Sequence, residues 1–144
     1  MIPLGIRLNN PGNLRPIPGV NWVGQTGEQS GFCMFSSAVM GLRALAIDLY
    51  NANLRNNTVR AMVTHYAPPS ENNTEAYIQH MCAFTGVGPD DIIHLSNATF
   101  ATLYIRGVIV QEQGLQNASE KLEWYPESVI RTAMEEAGKW TASA

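Results

Sequence analysis

The sequence predicts a mainly α-helical chain with an irregular N-terminal loop lobe, and two observations carry that expectation. From residue 36 to residue 138, apolar side chains recur at three- and four-residue spacing in segments bounded by Ser, Thr, Asn, Pro and Gly. Before residue 32, Gly, Pro and Asn are dense, with turn-forming Asn10-Pro11-Gly12 and Ile17-Pro18-Gly19. That first stretch reads as loops and short extended pieces.

Each helix has its own start and stop. Ser36 or Ser37 caps the first, whose apolar positions are Val39, Met40, Leu42, Leu45, Ala46, Leu49 and Tyr50. Asn56-Asn57-Thr58 opens a short second helix through Val59, Met62, Val63 and Tyr66, which stops before Pro68-Pro69. A third begins near Asn72-Asn73, carries Tyr77, Ile78, Met81 and Cys82, and ends at Gly86. Ser96 or Asn97 starts a fourth with Phe100, Leu103, Tyr104, Val108 and Val110. The last opens near Pro126, a favoured residue for a first turn, and closes at Gly138. With no repeat and no low-complexity linker, residues 1–144 are expected to form a single domain.

Composition narrows the function classes. The chain has 144 residues, 45% of them apolar and 15% charged, and a net charge of −3 with Lys and Arg scattered. No basic stripe advertises nucleic-acid binding, so a nucleic-acid partner is not expected. Glycan remains open, because sugars are read by hydrogen bonds and stacking rather than by net charge. Cys33 and Cys82 form no CxxC pair and His65, His80 and His94 stand in unrelated positions, so neither a metal site nor a cofactor is expected. The two cysteines read as buried thiols, with one disulfide as the other option. Residues 1–6 lack the features of a secretory leader, and no run of ~18 apolar residues exists to span a membrane.

The stretch Gly5-Ile6-Arg7-Leu8-Asn9-Asn10-Pro11-Gly12-Asn13-Leu14-Arg15 resembles the R-N-N-N-P-G-N-I-R opening of a family of small phage and prophage proteins, described as virion structural or lysozyme-like proteins. Trp22 with Gly24-Gln25, the run from Phe32 to Ser37, Gly41-x-Arg43-Ala44, and the segment from Tyr66-Ala67-Pro68 to Tyr77 extend the match across residues 5–87. The chain departs from the pattern at Leu8, where the family has Asn. A second similarity is to flagellar-type glucosaminidases and lytic transglycosylases. In those, a helix ending Glu-Ser-Gly precedes an Asn-containing loop, a Trp-Gly segment, an F-x-x-Y/F-x-S segment with its helix, and a Tyr-Ala-Thr loop. The later parts occur here in that order, while Glu136-Ala137-Gly138 stands at the back. The resemblance implies a lysozyme-like fold in circularly permuted order, with the catalytic helix last.

The last helix offers a physical argument for one of its two glutamates. At ~100° per residue, Val129, Ile130, Ala133, Met134 and Ala137 cover one arc of roughly 140°, with Glu135 opposite in solvent. Glu136 falls at the edge of that arc, near Trp140. A carboxyl half-buried against aromatic surface has its charged form disfavoured, the condition for a general acid; lysozyme is the standard illustration. Glu136 is therefore expected to be the catalytic acid, facing the Asn-rich turn across a shared cleft.

Other candidates divide between function and structure. Glu71 is the rival carboxylate, set rigidly after Pro68-Pro69, or else a helix-start charge complementing the next helix dipole. Tyr66 either eases oxocarbenium charge, as the resemblance implies, or ends a short helix as a core residue. Asn10 and Asn13 either fix a turn or, by the resemblance, line the groove and contact N-acetyl groups. Trp22 offers a stacking face or plugs the loop lobe. Asn72 and Tyr77, in the matched segment, complete the expected glycan contacts. Arg7 and Arg15 are expected to tie down the N-terminal loop.

Together these lead to an expectation of peptidoglycan glycan-strand cleavage by a phage or prophage protein, as a lytic transglycosylase or a muramidase. The alternative is a non-catalytic virion or tail component that binds and assembles through the same fold. Expected partners are peptidoglycan strands, with other virion or tail proteins under the alternative. The expected location is the virion, or the host cytoplasm before delivery to the periplasm.

Overall fold

A computed structural model describes residues 2–115 and 124–140. Over these described residues the chain is mainly helical, with one small two-stranded sheet. A short helix α1 (Leu4–Arg7) leads into a hairpin of β1 (Gln25–Gln29) and β2 (Phe32–Phe35). Four longer helices follow: α2 (Ala38–Asn53), α3 (Val59–Tyr66), α4 (Thr74–Thr85) and α5 (Ala98–Gln113). After them comes α6 (Glu127–Ala137).

The helix starts follow side-chain chemistry. Ser37, Thr58, Asn73 and Asn97 each accept a hydrogen bond from a backbone N–H three residues on, satisfying a donor the helix cannot. Gly86, Gly114 and Gly138 end α4, α5 and α6 in the left-handed region that glycine enters without penalty. Pro126 stands just before α6, whose first residue is Glu127.

The hairpin refines the expected loop lobe. Its strands pair antiparallel, with Glu28 opposite Cys33 and Gln29 opposite Phe32. Ser30 and Gly31 both have positive φ, as a two-residue primed turn requires. The preceding loop zips onto the other edge of β2. Cys33 N donates to Leu14 O at 2.9 Å, Phe35 N to Leu8 O at 3.0 Å, and Asn9 Nδ2 to Phe35 O at 3.1 Å. Leu8, the departure from the family pattern, is buried.

Gly41 brings this lobe onto α2. A Cβ built there would stand 1.6 Å from the Asn9 carbonyl oxygen, so only glycine permits the approach. Beneath, α2 packs along α6 and α4 against α5. One cluster of buried side chains, including Phe35, Leu45, Met62, Ile78, Tyr104, Ile105 and Met134, joins the lobe to the five longer helices. Both cysteines are unpaired, Cys33 buried and Cys82 half-buried. Among the described residues, no helix is long and apolar enough to cross a membrane.

Candidate active site

The last turn of α5 puts a carboxyl where a helix buries apolar side chains. At ~100° per residue, Ala101, Ile105, Val108 and Glu112 share a stripe roughly 60° wide. The first three are almost completely buried. Glu112 is half-buried and emerges in the wall of an open cleft of about 330 Å³.

Both oxygens of Glu112 are held. Tyr77 Oη donates to Oε2 at 2.9 Å, and Asn13 Nδ2 donates to Oε1 at 3.1 Å and to the Glu112 carbonyl at 3.0 Å. Burial lifts the carboxyl above its ordinary range. The Tyr77 and Asn13 hydrogen bonds and the positive charge of Arg15 oppose that rise without cancelling it.

The Asn-rich turn is the other half of the site. Asn13 adopts φ 52°, a left-handed conformation that Asn tolerates. Gln113, beside Glu112, donates through Nε2 to Pro11 O at 2.8 Å and to Asn13 Oδ1 at 3.0 Å. Tyr66 Oη donates to the Gly12 carbonyl. The turn is thus fastened to the ends of both α5 and α3. Burial, then the charges of Glu112 and Asp48, push the Tyr66 phenol well above its ordinary value, so it remains a donor.

The cleft is also lined by Asp48 on α2 and His65 on α3, by Glu71 and Asn72 on the loop before α4, and by Arg15, Ile17, Trp22 and Phe32 on the N-terminal lobe. Burial raises the Asp48 carboxyl above its ordinary range, opposed by neighbouring His65.

Several sequence-based expectations are corrected. Glu136 is exposed and does not line this cleft; its backbone carbonyl accepts from Arg43 Nε at 3.4 Å. The helical-wheel argument failed because α6 ends at Ala137. Trp140 therefore lies beyond the helix and turns inward, donating from Nε1 to Leu95 O at 2.7 Å and meeting the Tyr50 ring edge-on. It gives Glu136 no cover. Asn10 is completely buried, with Nδ2 on the Leu14 and Cys33 carbonyls and Oδ1 on the Leu14 N–H, so it cannot reach a ligand. Tyr77 is also buried and holds Glu112 instead of facing the cleft.

Asn13, Trp22, Tyr66, Glu71 and Asn72 do line the cleft. Glu71 precedes the Asn73 cap by two residues, outside the first turn of α4. Arg15 lies over the Phe32 ring rather than bonding its own loop.

Glu112, Asp48 and Gln113 were missed by sequence reasoning. The signal for Glu112 was present: Glu112-Gln113-Gly114 is a helix-ending Glu-x-Gly, the pattern credited only to Glu136-Ala137-Gly138. No protein-family model and no curated protein matches the chain.

Proposed function

We propose that this protein cleaves the glycan strand of peptidoglycan with Glu112 as the proton donor. One observation carries the proposal: a carboxyl in the wall of an open cleft is kept partly out of water and clamped by Tyr77 and Asn13. A carboxyl raised by burial holds its proton closer to neutral pH, where a glycosidic oxygen needs it. The resemblance of the Asn-Pro-Gly-Asn stretch to phage lysozyme-like proteins supports the same substrate. On this reading the acid-bearing helix of a circularly permuted lysozyme-like fold is α5, and not the last helix that the sequence led us to expect.

Glu112 protonates the leaving oxygen of the bond from N-acetylmuramic acid to N-acetylglucosamine as the C1–O bond breaks, and positive charge develops at C1 of the muramic acid. The carboxylate left behind accepts from Tyr77 and Asn13, which hold it in place as a base. It then takes the proton of the C6 hydroxyl of the same muramic acid as that oxygen bonds to C1, giving a 1,6-anhydro end. Asp48 and Glu71 line the same cleft and supply the second carboxylate that a hydrolytic route needs.

Mass spectrometry of digested sacculi separates the two routes: 1,6-anhydro ends are expected, and reducing ends assign hydrolysis instead. Glu112→Gln is expected to lower glycan release by ~100-fold or more while the protein stays folded. Glu136→Gln is expected to cut like the wild type. Undiminished cutting by a folded Glu112→Gln protein sinks the assignment. If purified wild type binds sacculi and releases nothing, the non-catalytic virion role replaces cleavage.

A further inference from the structure

Asp48, Glu71 and Glu112 all line the cleft, and they differ in what surrounds them. Glu112 is half-buried and takes hydrogen bonds from Tyr77 and Asn13. Glu71 is exposed, so water serves it. Asp48 is half-buried on α2, one turn after Leu45, and among the described residues it makes no hydrogen bond and no ion pair.

The Asn-rich turn is seated close by. A Cβ on Gly12 would stand 2.5 Å from Leu45 Cδ1 and 2.9 Å from Tyr66 Oη, so the turn presses between α2 and α3 just ahead of Asp48. Tyr66 feels the charges of both Glu112 and Asp48. Its hydroxyl is directed at the Gly12 carbonyl, which leaves the positive charge at C1 to another group.

The anhydro route makes a stereochemical demand. The C6 hydroxyl lies on the same face of the ring as the β-linked leaving oxygen, and Glu112 serves that face twice, first as acid and then as base. Between the two steps the opposite face of C1 must be covered. The sugar carries a group that reaches this face, the carbonyl of its 2-acetamido substituent. A protein nucleophile needs donors that steady it as a leaving carboxylate, and Asp48 has none. A half-sheltered carboxylate without donors gains instead from an N–H that the ligand brings.

We propose that Asp48 is a second catalytic residue, which accepts the acetamide N–H of the sugar being cut and turns its carbonyl onto C1. Glu112 gives its proton to the leaving oxygen, which keeps the electron pair of the broken C1–O bond while the acetamide oxygen bonds to C1. The N–H of the resulting cationic ring stays on the Asp48 carboxylate. The C6 oxygen then bonds to C1, its proton passes to Glu112, and the bond to the acetamide oxygen breaks. The acetamide is restored, so no further reactant is needed. This role rests on the cleavage reading above and adds the groups that carry the charge between its two steps.

The thiazoline of N-acetylmuramic acid has a fused ring that copies this intermediate. Amide chemical-shift titration of the full chain compares it with N-acetylmuramic acid itself. Wild type is expected to bind the thiazoline roughly tenfold more tightly or better. Asparagine still accepts a neutral N–H but does not offset a positive ring. Asp48→Asn is therefore expected to lose the preference and keep its affinity for N-acetylmuramic acid, which also shows an intact cleft. Glu71→Gln is expected to keep the preference. On sacculi, Asp48→Asn is expected to release glycan roughly tenfold or more slowly than wild type. No preference in wild type, a preference that survives Asp48→Asn, or equal release of anhydro ends by both proteins overturns the role of Asp48. A wild type that cuts sacculi without preferring the thiazoline fails this role alone, whereas one that neither cuts nor binds fails both readings.

Discussion

The Tyr77 hydroxyl lies 2.9 Å from Oε2 of Glu112 and donates to it, tying the first turn of α4 to the last turn of α5 behind the cleft. Because the donor favours the charged carboxylate, it restrains a pKa that burial raises. Tyr77→Phe keeps the ring and removes the donor. The Glu112 carboxyl is then expected to titrate at higher pH than in wild type, followed by its carboxyl carbon in NMR. The alkaline limb of the glycan-release profile should move the same way. An unmoved titration would show that the hydrogen bond does not reach the carboxyl in solution.

Burial of Glu112 and Asp48 also makes stability depend on pH. Both carboxyls hold protons more tightly folded than unfolded, from ordinary values of 4.5 and 3.8. The stabilisation from their protonated forms is complete below those values and is lost as pH rises through the higher folded values. Denaturant midpoints are expected to fall with pH in that window. Glu112→Gln should flatten its share of the slope and raise the neutral-pH midpoint above wild type. A wild-type slope that the substitution leaves unchanged refutes the burial account of Glu112.

Asn10 and Asn72 should separate cleanly. Asn10 satisfies two carbonyls and one N–H inside the lobe, so Asn10→Leu is expected to cost about 2–4 kcal/mol in a urea melt. Asn72 is exposed on the cleft rim, and Asn72→Ala should stay within about 0.5 kcal/mol of wild type. Similar costs for both would contradict the buried position of Asn10.

Gly41→Ala is expected to destabilise by about 3 kcal/mol or more, because the added methyl meets the Asn9 carbonyl and must push the lobe from α2. Thermal unfolding reads the loss. A melting temperature within a degree or so of wild type would mean that the lobe is docked differently.

Much of the helical framework was legible locally. The caps at Ser37, Thr58, Asn73 and Asn97 and the stops at Gly86 and Gly138 are short-range chemistry, written within three or four residues of where they act. The apolar spacing of α2 through α5 likewise announced which faces are buried. The hairpin was harder to see. β1 is Gln25-Thr26-Gly27-Glu28-Gln29, polar throughout, and it becomes a strand because β2 and the docked loop supply its partners.

The site divides along the same line. By itself the sequence determined that an Asn-rich turn, an aromatic loop lobe and two helix-ending Glu-x-Gly segments exist, since each is a local pattern. Only the tertiary structure decided which glutamate is sheltered. Burial of a carboxyl depends on what other segments place beside it, and Asn13 reaches Glu112 across 99 positions of chain. Glu136, with the same local pattern, meets no such neighbours and stays in water.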